Sequence, residues 1–376
     1  MNICEIKYLL SLALMVELFK LIRRVLMNRK ILVVLIVAVL MLIPLSVFAN
    51  GSKESGGGPS GDVVVYTALE EDETADYLEI AKKELPNLNI KWVRYSTGEL
   101  AAKIIAEKNN PQADVVWGSA ATSIASLTDL FEPYKAKGWD KIPAEFKDPD
   151  GYWTAVDMYV AAFCVNTDVL KKKGLDMPKS WADLTKPEYK GQVIMPNPGS
   201  SGTGYLQVAS ILLWKGIKNG SNDGWDFLQQ LHKNIVEYTN SGSAPAKIAS
   251  KGEIAVGASF GYRVAKQKDS GYPVELVFPA EGSGYELEAN ALMKNAKHTE
   301  AAKAFLDWAI SKSAMEGYSK YKLMVTLPGI ESQSEIPLPA SKDVKLFPMD
   351  FDWAAKNKSM VVDKWTSLFQ DKTKPE

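Results

Sequence analysis

The sequence predicts an α/β fold in which short buried strands alternate with helices and a ligand binds at the carboxyl ends of the strands. Two observations predict this class. From Asp62 onward, apolar runs of strand length alternate with longer segments of helical periodicity. Several of these strands end in small, hydroxyl-bearing residues directly before a helix, where open α/β sheets bind ligands. The 376 residues suffice for one large or two ordinary domains.

The first three strand patterns each lead directly into a helical pattern. They cover residues 63–66, 89–93 and 113–117. The loops after them carry the hydroxyl side chains of Thr67, Ser96, Thr97 and Ser119. Acidic residues, with Glu70 the first, open the first helix, where the helix dipole favours negative charge. We expect the three loops to share one rim of the sheet.

The most informative stretch is residues 192–214, QVIMPNPGSSGTGYLQVASILLW. A short apolar strand leads into a Pro-containing turn, a run of small residues and an apolar helical pattern. Glycines let a ligand approach the backbone, and the first N–H groups of a helix have no intrahelical partner. Ser200, Ser201, Gly202 and Thr203 are therefore expected to bind an anion such as phosphate, phosphonate or carboxylate. A well-capped helix after a tight turn is the alternative, and no Gly-Lys-Ser/Thr follows to make a nucleotide P-loop.

The remaining elements continue the alternation. Residues 152–166 form an extended apolar run that could cross between two lobes, and residues 225–236 form an amphipathic helix. A strand end carries Asn240 and Ser241, and Tyr262 follows a further strand. Three strand patterns and two helical patterns complete the order, at 254–260, 274–278, 286–293, 299–311 and 313–321.

Composition and motifs exclude several classes of function. A formal net charge of -1 argues against a nucleic-acid-binding protein, and two histidines exclude a histidine-rich metal site. No Gly-x-Ser-x-Gly elbow or paired carboxylates indicate catalysis, and Cys164 is interpreted as a buried small hydrophobic residue. We expect neither enzymatic activity nor a cofactor. Strand-end hydroxyls, helix starts and aromatic rings instead indicate a binding cleft.

Residues 1–49 are interpreted as a targeting segment whose true start is Met27. A charged region at Arg29 and Lys30 precedes an apolar stretch, and small residues at Val47 and Ala49 predict cleavage after Ala49. A retained membrane anchor is the alternative. Residues 50–61 are rich in Gly and Ser and indicate a flexible tether. The mature chain is therefore expected to be periplasmic or surface-associated.

Five strings carry a resemblance to a known family. They are VVVYTALE, KWVRYSTGELAAKIIAEKNNPQADVVWGSAATS, SWADLTKPEYKGQVIMPNPGSSGTGYL, YTNSGSAPAKIASKGEIAVGASFGYR and VFPAEGSGYELEANALMK. Over roughly residues 62–329 the chain resembles the solute-binding proteins of ABC importers, in the extracellular family that includes ferric-ion binders. The strings are most similar to the branch assigned to 2-aminoethylphosphonate import, whose close relatives bind sugar phosphates.

The resemblance implies a type II periplasmic binding protein of two α/β lobes, each a mixed sheet flanked by helices, which close on a ligand. Lobe 1 would hold residues 62–156 and 264–376, and lobe 2 residues 157–263. The partners implied are a permease and an ATPase, with no nucleic acid, and the chain would be a monomer. The expected ligand-binding residues are Thr67, Glu70, Ser96, Thr97, Ser119, Asp157, Ser200, Ser201, Gly202, Thr203, Asn240, Ser241, Tyr262 and Glu281.

The resemblance leaves the ligand open between three classes. Ferric binders place tandem tyrosines just before the Tyr-Arg pair, whereas this chain has Ser259-Phe260-Gly261 before Tyr262, which argues against iron. An aminophosphonate needs a carboxylate for its ammonium group, and Glu70, Asp157 and Glu281 are the candidates. A sugar phosphate would use the same acids as hydroxyl acceptors. The weakest alternative is an exported enzyme acting on phosphorylated substrates.

Overall fold

The computed structural model describes residues 58–334, 336, 338–339 and 341–373, together with Met15, Glu17 and Lys20. Those three isolated residues are helical and belong to the unit Met1–Gly57, and the remainder belongs to the unit Gly58–Glu376. The predicted targeting segment, its cleavage point and most of the tether lie outside the described residues. Among the described residues, no helix is both long and apolar enough to cross a membrane.

The strands of the described chain build one mixed sheet. They are β1 (Gly61–Thr67), β2 (Leu88–Arg94), β3 (Val115–Ala120), β4 (Phe131–Glu132), β5 (Thr154–Asn166), β6 (Val193–Pro196), β7 (Ile235–Thr239), β8 (Val256–Phe260), β9 (Val274–Val277), β10 (Tyr285–Met293) and β11 (Met324–Val325). Their main order is β2-β1-β3-β10-β5-β8-β6-β7, with β4 beside β10 and both β9 and β11 beside β5. The α/β class that the alternation predicts is confirmed.

Helices follow most of these strands, as the periodicity predicts. They are α1 (Glu71–Glu84), α2 (Thr97–Ala106), α3 (Ala121–Ala125), α4 (Thr167–Lys173), α5 (Gly202–Trp214), α6 (Asp223–Asn234), α7 (Ala244–Ser250), α8 (Gly261–Asp269), α9 (Thr299–Ala309), α10 (Lys312–Tyr318), α11 (Phe351–Lys356) and α12 (Lys358–Phe369). Helix α8 is an element that the sequence analysis missed, because no helix was assigned after the strand pattern that ends at Phe260.

The long strand β5 belongs to two groups of strands. Its first part pairs antiparallel with β10 and β11, and its last part, Ala161 to Asn166, pairs antiparallel with β8 and β9. Strands β1, β2 and β3 pair in parallel on one side, and β6, β7 and β8 pair in parallel on the other. We call the strands around the first part of β5 the first strand group and those around its last part the second strand group.

Each strand group has its own hydrophobic core. In the first, Trp117 and Phe305 pack edge to face with ring centroids 5.3 Å apart. In the second, Tyr238 and Trp365 do so at 4.7 Å. Since Trp365 lies on α12 and β9 pairs with the last part of β5, these elements belong to the second strand group. The sequence analysis had assigned all of residues 264–376 to lobe 1.

Candidate functional site

A cavity lies where the carboxyl ends of strands from both groups meet. It encloses about 730 Å³, counting the part open to solvent. Five helices of the described chain begin at its wall, because the residue that caps the start of each helix lines the cavity. These capping residues are Glu70 of α1, Ser96 of α2, Ala120 of α3, Ser201 of α5 and Phe260 of α8. Free N–H groups and helix dipoles at these starts make the cavity favourable for an anion.

The start of α5 forms one wall of the cavity. The Ser201 hydroxyl accepts a hydrogen bond from Gly204 N at 3.2 Å, which leaves its own O–H to donate. A Cβ on Gly202 would lie 2.6 Å from Thr97 Oγ1 and 3.1 Å from the Tyr159 hydroxyl, so glycine is needed for this close approach. Thr203, also in the wall, is 6% exposed. Three residues of the predicted anion-binding turn, Ser201, Gly202 and Thr203, therefore line the cavity.

The start of α2, from the first strand group, faces α5. Ser96 and Glu99 form a reciprocal capping box at this helix start, and both Ser96 and Thr97 line the cavity. Gly98 N donates to the Ser200 carbonyl at 2.8 Å. This backbone hydrogen bond joins the two strand groups directly at the cavity, as in a closed cleft.

Charged residues at one rim of the cavity are paired with each other. The Glu70 carboxylate contacts Arg94 through Oε1 and Arg263 through Oε2, each at 3.0 Å. Arg263 also contacts Asp72 at 3.2 Å, and Lys266 pairs with Asp72 as well. Burial opposes the charge of Arg263, but the nearby Glu70 and Asp72 carboxylates raise its pKa above the ordinary value. Glu70, predicted as an ammonium-binding residue, is therefore already neutralised by two guanidinium groups.

A buried cluster of charges forms another part of the wall. The Lys322 ammonium lies 2.8 Å from Glu73 Oε2 and 2.6 Å from Glu288 Oε2, and all three residues line the cavity. Asp157 lies behind them, opposite Glu288 on the neighbouring strand, and is fully buried. Burial and the charge of Glu288 raise the pKa of Asp157 well above its ordinary value. Burial lowers the pKa of Lys322, but Glu288 and Glu73 outweigh it and raise that pKa overall.

The structure brings half of the predicted ligand-binding residues to the cavity wall. These are Glu70, Ser96, Thr97, Ser201, Gly202, Thr203 and Tyr262. The Thr67 hydroxyl accepts a hydrogen bond from Leu69 N, and the Ser119 hydroxyl is buried without a hydrogen-bond partner among the described residues. Ser200 donates its hydroxyl to the Asn240 carbonyl at 3.1 Å. Ser241 lines a second, open surface depression beside Glu70 and Arg263.

Glu281 does not line the cavity and has a structural role. Its two carboxylate oxygens accept hydrogen bonds from Trp181 N and Ala182 N, both at 3.1 Å. Both donors precede the 3-10 turn Asp183–Thr185, so Glu281 fixes the start of a turn far away in the sequence. The prediction that it could meet a ligand ammonium group is not supported by this position.

Several wall residues were missed by the sequence analysis. They are Glu73, Arg94, Glu288, Lys322 and the apolar side chains Met158, Val160, Phe278, Leu323 and Leu338. The signal that could have identified Glu288 is its place in the mostly apolar segment LEANALM, where a charged residue needs a buried partner. Lys322 gave no such signal, because it follows a helix end rich in polar residues.

The described residues offer little for metal or nucleophile chemistry. No group of three or more His, Cys, Asp or Glu side chains among them is placed to hold a metal ion. Ser259, at a position where ferric binders have tyrosine, donates its hydroxyl to the Gly242 carbonyl at 2.7 Å. Burial raises the pKa of the Cys164 thiol to about 12, so this side chain stays protonated and unreactive.

Comparison with known proteins gives consistent matches. Residues 110–357 match the model of the family described as bacterial extracellular solute-binding protein. An uncharacterized protein of Haemophilus influenzae is 36% identical over 291 residues, which cover 74% of this chain and 82% of the relative. A probable ABC transporter periplasmic-binding protein, y4fP of Sinorhizobium fredii, is 30% identical over 283 residues, which cover 73% of this chain and 77% of the relative.

A solved structure is also similar. It is the periplasmic binding protein AfuA of Actinobacillus pleuropneumoniae with fructose 6-phosphate bound. It superposes with a TM-score of 0.77 at 32% sequence identity, over 83% of this chain and 99% of AfuA. The two-lobe, mixed α/β architecture is thus shared across nearly the whole of AfuA.

Proposed function

The chain belongs to the family of bacterial extracellular solute-binding proteins, and we propose that it captures a small organophosphorus anion, 2-aminoethylphosphonate, for import by an ABC transporter. The family consists of transport proteins and not of enzymes. On this proposal the partners are the permease and ATPase of the importer, the chain acts as a monomer in the periplasm, and a cleaved N-terminal signal peptide exports it.

The observation that carries the proposal is the convergence of five helix starts on one cavity. A phosphonate is an anion at neutral pH, and helix N-termini bind such groups through N–H donors without needing a cation. Gly202 and Thr203 occupy the first two positions of α5, so their N–H groups precede the first intrahelical donors. Ser201, Ser96 and Thr97 add hydroxyl donors in the same wall.

A sugar phosphate is the second candidate, and the likeness to AfuA favours it. AfuA was solved with fructose 6-phosphate and is 32% identical to this chain. The same helix starts would take the phosphate, and the wall carboxylates would accept hydrogen bonds from sugar hydroxyls. The apolar side chains of Phe278, Leu323 and Leu338 in the wall suit a small organic body less polar than a hexose, which places the sugar phosphate second.

Ferric iron is the third candidate and the residues argue against it. Phenolate oxygen suits Fe(III), yet Ser259 and Phe260 occupy the positions where ferric binders carry tandem tyrosines. Tyr262 remains, but burial and the charge of Asp72 raise the pKa of its hydroxyl, which disfavours the phenolate. A ferric chelate is expected to give no coloured complex with the purified protein.

The test of the proposed site is removal of one hydroxyl from the start of α5. Thr203→Val keeps the shape of the side chain and removes its donor, so affinity for 2-aminoethylphosphonate should fall about tenfold by titration calorimetry. Ser210→Ala, a matched control on the same helix whose hydroxyl donates to the Gln207 carbonyl, should leave the affinity unchanged. Equal affinity of the Thr203→Val protein and the parent would contradict the proposed site.

A further inference from the structure

Glu288 lines the cavity wall and was not among the predicted ammonium-binding residues. It lies near the start of β10, paired with Ala120 of β3 on one side and with Asp157 of β5 on the other. Its side chain is 11% exposed and lines the cavity. Glu70 is already held by two guanidinium groups, and Glu281 lies outside the wall. The acids in the wall are Glu70, Glu73 and Glu288. Of these, Glu288 is the carboxylate to consider first as a partner for a ligand cation.

The cluster around Glu288 contains more carboxyl groups than ammonium groups. Asp157, Glu73 and Glu288 surround the single ammonium of Lys322. Glu73 is further satisfied by hydrogen bonds from Glu70 N at 2.8 Å and from the Tyr77 hydroxyl at 3.2 Å. Because burial and the charge of Glu288 raise the pKa of Asp157 well above its ordinary value, a proton on Asp157 offsets part of this excess. Glu73 and Glu288 still share one ammonium, and a further cation in the cavity would offset the remaining charge.

The contact between Lys322 and Glu288 leaves hydrogen-bonding capacity unused. Although Lys322 Nζ lies 2.6 Å from Glu288 Oε2, that oxygen has no hydrogen-bond partner of acceptable geometry among the described residues. The two carboxylate oxygens of Asp157 also have no hydrogen-bond partner of acceptable geometry among the described residues. These three oxygens are buried, so a ligand in the cavity would meet the Glu288 carboxylate through the exposed 11% of its side chain. The incomplete set of donors around the carboxylate leaves it able to accept a further hydrogen bond there.

We propose that Glu288, with Asp157 behind it, is the residue that recognises a cationic amine on the ligand and so selects a zwitterionic aminophosphonate over a simple phosphonate. The anionic group binds at the helix starts, and the ligand's ammonium donates to the Glu288 carboxylate. Lys322, whose ammonium lies 2.6 Å from Glu288 Oε2, holds the Glu288 carboxylate in position. This inference rests on the proposed capture of an organophosphorus anion.

The test compares two ligands of nearly equal shape on three proteins. 2-Aminoethylphosphonate and propylphosphonate differ by an ammonium in place of a methyl group. Titration calorimetry with the purified chain, freed of co-purifying ligand by dialysis, gives the affinity ratio of the two. The parent should prefer the amine by about tenfold or more, as expected for a charge-assisted hydrogen bond. Glu288→Gln should bring that ratio close to one.

Glu286→Gln is the matched control. Glu286 lies two residues away on the same strand, is also buried and does not line the cavity. The Glu286→Gln substitution makes the same chemical exchange on the same strand outside the cavity wall, so it should preserve the preference for the amine. Propylphosphonate binding by the Glu288→Gln protein also reports that this variant is folded.

The outcomes separate the inference from the proposed function. A parent that prefers the amine and a Glu288→Gln protein that keeps this preference would overturn the role of Glu288. So would an equal loss of preference in Glu288→Gln and Glu286→Gln. A parent that binds neither phosphonate would overturn the proposed function itself, and the inference with it.

Discussion

At the residue scale, burial decides the charge of Glu286. The residue is 1% exposed, and burial raises its pKa to about 7 although Thr122 and Leu287 N donate hydrogen bonds to it. Because the folded pKa is raised, Glu286 contributes stability below the unfolded value of about 4.5 and loses it as the pH rises through about 7. Relative to Glu286→Gln, the parent should lose about 3 kcal/mol of unfolding free energy between pH 4 and pH 8.

Urea titrations of both proteins across this pH range measure the difference. Other groups with raised pKa values, Asp157 among them, change the stability of both proteins alike and cancel. Glu145→Gln, an exchange at an exposed site, serves as the control and should follow the parent at every pH. Parallel stability curves for the parent and Glu286→Gln would show that Glu286 is charged in the folded protein at neutral pH.

Some kinds of site residue could be predicted from the sequence and others could not. Hydroxyls and glycines beside a helix start have a local signature, and Ser96, Ser201 and Thr203 were found by it. Acids have none, since their role depends on partners distant in the chain. Glu281 caps a turn about one hundred residues earlier, and Glu288 meets Lys322 and Asp157. Sequence periodicity does not report such long-range pairs.

At the element scale, periodicity predicted most strands and helices to within a few residues. Helix α8 was missed because its first residues, Gly261 and Tyr262, follow β8 with no capping signal. Phe260, which has no capping hydroxyl, occupies that place. Helices α9 and α10 were predicted, but the packing of α12 in the second strand group was not, because the ring of Trp365 meets Tyr238 only in the folded chain.

The contact between α2 and the loop before α5 gives a prediction for closure of the cleft. A Cβ on Gly98 would lie 1.9 Å from the Gly199 carbonyl oxygen and 2.7 Å from Ser200 Cα, and neither backbone atom can move alone. Gly98→Ala should therefore hold the two helix starts apart. We expect its affinity for 2-aminoethylphosphonate to fall about tenfold, measured by titration calorimetry.

The same variant should retain its fold, because Gly98 itself is not part of the hydrophobic core of either strand group. Its free energy of unfolding in urea should stay within about 1 kcal/mol of the parent's. Gly58→Ala, whose added Cβ would meet only Asn87 Nδ2 at 3.7 Å, is the control and should change neither quantity. An unaltered affinity in Gly98→Ala would mean that this contact is not needed to hold the ligand.

At the scale of the whole unit Gly58–Glu376, one strand and a set of ion pairs connect the two strand groups. Strand β5 runs through both, and α1 of the first group contacts α8 of the second through Glu70, Asp72 and Arg263. These ion pairs lie at the rim of the cavity that the helix starts surround. The arrangement therefore couples closure of the cleft to the place where an anion would bind.

Capture of an organophosphorus anion by this cavity is the central claim, and parallel calorimetric titrations test it most directly. The purified protein is titrated with 2-aminoethylphosphonate, glucose 6-phosphate, inorganic phosphate and a ferric chelate. Tight binding of 2-aminoethylphosphonate, with the other three bound at least about a hundredfold more weakly, is the predicted result. Binding of the ferric chelate alone, with visible colour, would contradict the account, since the iron ligands would then be residues assigned here to structural contacts.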